Sequence, residues 1–260
     1  MKKWILPVIL CGLLALTVPP QFVAAGGSDD APIEKSLVII DPGHTDKLPG
    51  ALGVTGKYEV AYNDNLVSMI SDSLNRAGFV TILTRKPGQE ITLEDRAHTA
   101  NSYNALAMLS IHHDSAQLKY LESIKRNGKK AYRTRKPISG YSLFVSLKNQ
   151  QFDRSFIFAR LLGEELIQLG RKPTLHHAEP IPGEGRTLLD TDLGIYQYDD
   201  LVVLKQTAIP AVLLEVGVIV DPSDEAYVSR RDHQESIVNA ILISLIKFRN
   251  NQQCGNITIK

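Results

Sequence analysis

The sequence predicts an α/β domain of three layers, a mostly parallel, twisted sheet with helices on both faces. Three observations carry that reading. Between residues 36 and 114, runs rich in β-branched residues alternate with segments of helical period, in the order strand, helix, strand, helix, strand. Strands in that order pair in parallel through right-handed crossovers. The apolar runs also end in reactive residues, since "SLVIID" leads into PGH, "LAMLSI" into HHD and "AVLL" into EVG. Open sheets of this kind bind ligands beyond the carboxyl ends of their strands.

The elements follow in order. Residues 1–25 combine a basic start (MKK), the apolar stretch WILPVILCGLLALTV and small residues around Ala25, the pattern of a secretory signal peptide. The rival reading is a membrane anchor, but Pro19 and Pro20 close the run short of the roughly 20 apolar residues a span requires. A lipid anchor at Cys11 would want a small residue before it, where Leu10 stands. Residues 26–35 are a polar tether, and 36–249 hold the folded domain. "SLVIID" is a buried strand ended by Pro42-Gly43. Leu66, Met69, Ile70 and Leu74 recur at helical spacing over 63–77, with Gly78 as the stop. "FVTILTR" is a strand, 92–105 a helix capped by Thr92 with Asp95, and "LAMLSIHHD" the third strand. Further on, "GYSLFVSL" is a strand, 153–169 an amphipathic helix, "AVLLEVGVIV" a central strand and 232–248 the closing helix. That helix turns Ile237, Ala240, Ile241, Ser244 and Leu245 inward. Residues 250–260 are a polar tail.

Composition excludes several classes. Loss of Lys2 and Lys3 with the leader takes the net charge from +1 to −1, so no global field favours nucleic acid. No second apolar run approaches spanning length, so no stable membrane insertion is expected after cleavage, and the signal pattern predicts export to a periplasm, the extracellular space or the cell wall. Only Cys11 and Cys254 are present, so neither an internal disulfide nor a cysteine zinc site is available to the mature domain. A metal must be held by His, Asp or Glu.

Glu215 stands inside an apolar run of ten residues, where an unpaired carboxylate costs several kcal/mol or shifts its pKa upward. It is either functional or paired with a buried cation from elsewhere. His44 follows a rigid Pro-Gly turn, and Glu59 precedes the first helix. Two imidazoles and one carboxylate from separate segments are the ligand count of a catalytic zinc site with an open fourth position.

"VIIDPGH", an acid fifteen residues on, "SIHHD" and "PAVLLEVGVI" together resemble the zinc-dependent N-acetylmuramoyl-L-alanine amidases of the cell-wall type. The likeness runs in order from about Ser36 to Lys247. It implies hydrolysis of the amide between the lactyl group of N-acetylmuramic acid and the first L-alanine of the peptidoglycan stem. By it His44, Glu59 and His112 are the ligands of one zinc per chain, and Glu215 is the catalytic acid/base. Strand alternation puts His112 on the face of Ser110 and Asp114 and turns His113 away, toward substrate or solvent. Asp41 and Asp114 are placed to support the site, and His177 is expected to reach the cleft. Alternatives are another zinc hydrolase of the same polymer (a carboxypeptidase or deacetylase) or a secreted wall-binding protein without turnover. The chain passes from "YSLFVSL" to the next helix without the inhibitory insertion that division-linked members carry there. Residues 119–136 carry eight basic residues against one Glu, either a solvated mobile loop or a contact for anionic wall polymer or a regulator.

Overall fold

Seven strands form one twisted sheet in the order β2-β1-β3-β9-β6-β8-β7. The computed structural model describes residues 36–126 and 128–253, so the expected signal segment, the tether and the end of the tail lie outside the described residues. β1 (Leu37–Pro42) pairs in parallel with β2 (Val80–Leu83) and β3 (Ala107–Asp114). β3 pairs in parallel with β9 (Ala211–Val218). Beyond β9 the sheet turns mixed. β6 (Ser142–Val145) runs antiparallel to β9 and parallel to β8 (Ile195–Gln197), and β7 (Leu188–Asp190) closes the edge antiparallel to β8.

The period-two alternation of the central strands divides the core. Val38, Ile40, Leu109, Ile111, Val212 and Leu214 pack on one face beneath α1 (Glu59–Arg76), α3 (Phe152–Gln168) and α6 (Arg231–Gln253). Ile39, Met108, Ala211 and Leu213 pack on the other, against Ala100 of α2 (Leu93–Asn101) and Val203 and Leu204 of α4 (Val202–Gln206). Thr92 caps α2 as expected, its hydroxyl accepting from the Asp95 N–H at 3.0 Å. Ile237, Ala240, Ile241, Ser244 and Leu245 are all buried in α6.

Several boundaries move. α1 starts four residues early, so Glu59 lies in its first turn rather than before it, where the helix dipole favours a carboxylate. α6 runs through Gln253, into the segment expected as tail. Residues 119–136 are not the expected loop. Leu121–Arg126 (β4) and Lys129–Thr134 (β5) form an antiparallel hairpin, and Asn127-Gly128 between them is a strong hairpin pair. Leu121 and Thr134, cross-strand partners, are buried on one face of the ribbon, and Ala131 is buried on the other, while Lys125, Arg126, Lys130 and Arg133 are exposed. α5 (Pro222–Ser229) was also passed over, although Asp221 caps it and Pro222 opens it.

One buried carboxylate joins the end of β9 to its neighbours. Asp224 accepts from the Val218 N–H at 2.7 Å, the Gly140 N–H at 3.0 Å and Arg171 Nη1 at 2.7 Å. Arg171 in turn donates to the Val216 carbonyl at 3.0 Å. Asp224→Ala strands a buried guanidinium and two N–H groups, and we expect it to cost about 3–5 kcal/mol in urea unfolding. A loss below about 1 kcal/mol would remove Asp224 from this role.

Candidate metal centre

The ends of β1 and β3 and the first turn of α1 bring His44, Glu59 and His112 together, with one donor atom from each inside a 4.8 Å cluster. Glu59 Oε2 lies 3.0 Å from His44 Nε2 and Oε1 lies 3.1 Å from His112 Nδ1. The carboxylate is further held by the Ala51 N–H at 3.2 Å and the His113 N–H at 3.1 Å. Burial opposes its ionisation, but the bonds from His112 and His44 prevail and hold the carboxyl far below the usual range. Burial likewise pulls His44 down, and its bond to Glu59 turns the net shift upward. His44 Nδ1 donates to the Leu48 carbonyl at 3.1 Å, which orients the ring so that Nε2, now bonded to Glu59, is the atom a metal would take in place of that proton. Two neutral imidazole nitrogens and an anionic oxygen suit a borderline divalent cation such as zinc.

Close backbone approach makes this cluster. A Cβ on Gly43 would fall 2.4 Å from the His112 ring, and one on Gly50 (φ +75°) 2.3 Å from Glu59 Oε2. His44 itself has φ 63°, a left-handed conformation rare outside glycine. Two buried arginines hold it there. Arg96 Nη1 donates to the Pro42 carbonyl at 2.5 Å and Nη2 to that of His44 at 2.7 Å. Arg85 donates to the carbonyls of Gly43 at 2.9 Å and His44 at 2.6 Å. Asp41 balances Arg96 at 2.6 Å and also accepts from Ser110 Oγ at 2.6 Å. Asp41 therefore acts on the turn and not on the cluster directly. Burial would raise its pKa, and the Arg96 charge with the Ser110 and Thr84 bonds brings it below the normal value. Sequence reading missed both arginines, because nothing in "TILTR" or "LEDRAH" distinguishes a buried guanidinium from an exposed one.

Glu215 lies directly across from His112 in the β3–β9 pairing. Its Oε2 is sealed from solvent and has no hydrogen-bond partner, and among the described residues no cation pairs with it. Burial raises its pKa well above the usual range, the Asp114 and Glu59 charges add to this, and only Arg186 opposes them. The alternative of a structural Glu against a cation finds no counterpart. Beside the two histidines opens a cavity of about 340 Å³ lined partly by Leu48, Leu93, Leu201 and Leu213.

The remaining expected residues go elsewhere. His113 does turn away from His112, but it meets neither substrate nor solvent. It is 2% exposed, and its Nδ1 bonds Asn63 Oδ1 at 2.7 Å. Burial pushes its pKa down to about 3. A short alternating pattern shows which face a residue takes, not what covers that face, and here α1 covers it. Asp114 does not orient a ring of the first cluster. Its Oδ2 meets His177 Nε2 at 2.8 Å and its Oδ1 accepts from the Ser115 N–H. His177 is buried against Asp114 and Glu184, away from the first cluster, and those two bonds outweigh burial and raise its pKa to about 9. His176, His177, Glu184 and Arg186 all come from one Pro/Gly-rich stretch, in which the sequence reading marked His177 for the cleft but neither Glu184 nor Arg186.

Comparison with known proteins agrees with this geometry. The family model described as N-acetylmuramoyl-L-alanine amidase (Amidase_3) matches residues 38–247. The chain is 28% identical over 216 residues to the probable cell wall amidase LytH of Staphylococcus saprophyticus, covering 82% of this chain and 58% of that protein. It therefore spans less than two thirds of the length of that relative. It is 24% identical over 223 residues to the putative N-acetylmuramoyl-L-alanine amidase of Buchnera aphidicola subsp. Baizongia pistaciae, covering 82% of this chain and 95% of that one. The crystal structure of the amidase Ami1 from Mycobacterium smegmatis superimposes with a TM-score of 0.65 at 19% identity, over 85% of this chain and 99% of that one, a likeness of fold.

For His113 the structure predicts a stability role. His113→Ala leaves a buried acceptor on Asn63, which costs about 1–3 kcal/mol before any cavity is counted. With the folded pKa near 3 and the ordinary value 6.5, the unfolded chain binds the extra proton between those limits. Wild-type stability is therefore lost as pH is lowered from about 6.5 toward 3, more steeply than that of His113→Ala. Parallel pH slopes in urea titrations would contradict the assignment.

Proposed function

The chain belongs to the N-acetylmuramoyl-L-alanine amidase family, and from that premise we propose that it hydrolyses the lactyl–L-alanine amide of peptidoglycan with zinc held by His44, Glu59 and His112. One observation carries the reading: a half-buried carboxylate, Glu215, whose Oε2 is sealed from solvent without a partner, set across from a cluster of His44, Glu59 and His112. Zinc at those ligands supplies Lewis-acid polarisation of the scissile carbonyl and acidifies a water. The chain's own groups do the rest. Glu215 takes a proton from the attacking water and returns it to the amide nitrogen, without which an amine leaves poorly. Its raised pKa suits both duties, since a carboxylate that is readily reprotonated can also act as the acid. Leu48 and Leu93, 75% and 48% exposed, offer apolar walls beside His44 for the substrate, and Arg85 and Arg96 keep His44 rigid.

The family assignment also supports export to the wall, the compartment where the substrate lies. Among the described residues no helix is long and apolar enough to cross a membrane. The basic hairpin is our proposed contact for anionic wall polymer. Arg126 is tied to the Val54 carbonyl and Arg133 to Glu122, whereas Lys125, Lys130, Arg135 and Lys136 are exposed. Replacing those four with Ser is expected to weaken sedimentation with intact wall at low salt and to change little at high salt. Equal binding of both proteins at low salt would return the hairpin to a purely solvated face.

Glu215→Gln tests the chemistry. The change keeps shape and removes the base, so turnover of purified wall should fall at least 10²- to 10⁴-fold, with zinc retained. Mass analysis of wild-type digests should show stem peptides with a free L-alanine amine. Fragments from a carboxypeptidase or a deacetylase would replace the proposed reaction with one of those. Stability gives an independent readout. The native state binds the Glu215 proton more tightly than the unfolded chain, so in metal-free protein its contribution worsens as pH rises above about 4.5. Glu215→Gln should therefore melt at or above the wild-type temperature at pH 7, and early melting with full activity per folded molecule would end the case for Glu215 as the proton carrier.

A further inference from the structure

A second convergence of donors lies two residues beyond His112 on the same strand. Asp114, His176 and His177 place one donor atom each within 4.8 Å of the others, apart from the cluster of His44, Glu59 and His112. All three residues are at least nine-tenths buried. Both imidazoles aim Nε2 at the same oxygen, with His177 2.8 Å and His176 3.4 Å from Asp114 Oδ2. Four-coordinate zinc with bonds of about 2.0–2.1 Å holds its donors roughly 3.3 Å apart, which brackets well with these separations.

The outer nitrogens are held as well. His177 Nδ1 bonds Glu184 Oε2 at 2.9 Å, and Glu184 is itself fixed by Arg186 at 2.6 Å and Gln117 at 3.0 Å. His176 Nδ1 bonds Thr174 Oγ1 at 2.6 Å. Carboxylate and hydroxyl partners on the far nitrogen are how proteins orient metal-binding imidazoles. A plain salt-bridge network accounts for His177, which has a carboxylate on each side. It does not account for His176. Its Nε2 is buried, points into the cluster 3.4 Å from Asp114 Oδ2 and makes no well-formed hydrogen bond, a condition rare for a buried polar atom.

We propose that Asp114, His176 and His177 form a second cation site, for a divalent transition metal of the zinc class. The inference does not depend on the amidase reading of the first cluster. Two imidazoles and one carboxylate oxygen select against magnesium and calcium, which take oxygen shells. On binding, His177 gives its Nε2 proton to solvent and the ion takes the place of that proton on Asp114. The ion ties the stretch around His176–Ala178 to the end of β3, beside Glu215, and offsets the Asp114 charge that acts on Glu215. It raises the content from the single zinc implied by the family resemblance to two per chain.

Zinc alone is the probe. Wild type, His112→Ala, His176→Ala and the double variant are loaded with zinc, dialysed and measured by elemental mass spectrometry, with folding checked by circular dichroism. The expected contents are two, one, one and none. Zinc should also raise the melting temperature of His112→Ala and leave that of the double variant unchanged. A folded His112→Ala that holds no zinc and shows no melting shift overturns the second site and leaves the first intact. The reverse result, one zinc in wild type that survives His112→Ala and is lost in His176→Ala, overturns the first site instead. Should His176→Ala fail to fold, His176→Asn in the His112→Ala background carries the comparison, and zinc binding undiminished there also overturns the proposal.

Discussion

Three successive carbonyls, those of Pro42, Gly43 and His44, turn inward onto two buried guanidiniums, and the rest of the site depends on that clamp. A strand ending in a Pro-Gly turn leaves backbone acceptors that water cannot reach once α1 and α2 close over it. Arg85 and Arg96 satisfy them, and the acceptance of two donors by His44 holds that residue at a positive φ its side chain would not choose. Burying two cations requires anions nearby, which Asp41 provides for Arg96 and Asp64 for Arg85. The ring of His44 is thus positioned by its own backbone, whereas the ring of His112 reaches the cluster only because Gly43 has no side chain.

Against that compensated background the state of Glu215 stands out. Asp41 and Glu59 are each surrounded by donors, and burial fails to keep them protonated. Glu215 has none, though its Oε2 is sealed from solvent, and it stands on a strand whose far end is held by Asp224 and Arg171. A fold able to satisfy Asp41, Glu59 and Asp224 so fully has the means to satisfy Glu215. Leaving Glu215 bare costs stability, and in the proposed reaction the return lies in a proton that can be taken and given back beside the cluster.

What was legible in the sequence was whatever periodicity and local turn chemistry encode. β1, β3 and β9 could be read because they are long, apolar and end in residues out of place in a core. Strand alternation separated His112 from His113, and the Thr92 cap appeared where its side chain could reach the backbone. β7, β8 and α4 are three to five residues long, too short for a period to show. The hairpin at 121–134 was hidden by its charges and by buried residues, Leu121, Ala131 and Thr134, that do not fall on one alternating face. Arg85 and Arg96 were illegible for a different reason, since their partners are backbone carbonyls more than forty residues away and no side-chain pattern records a carbonyl.

The stretch 171–187 shows where that limit matters most. Its Pro and Gly content marks it as irregular, and irregular segments ordinarily run over the surface because their backbone needs water. This one lies instead with His176 and His177 buried, its backbone paired locally and its histidines reaching the end of β3. What holds it inward is the charge sequence Asp114, His177, Glu184, Arg186, alternating in sign through contacts of 2.8, 2.9 and 2.6 Å. Such a chain is self-consistent when all its members are present and costly when one is missing, so it specifies one position for the segment. β3 therefore carries two neighbouring sets of imidazoles with separate supports: His112 answers to Glu59 and the turn after β1, and Asp114 answers to a segment more than sixty residues downstream. Glu215 sits between the two sets and feels the charge of both, through Glu59 on one side and Asp114 on the other. Its proton affinity is in that sense set jointly by both ends of the domain, and the 171–187 stretch belongs to the site as fully as the turn after β1.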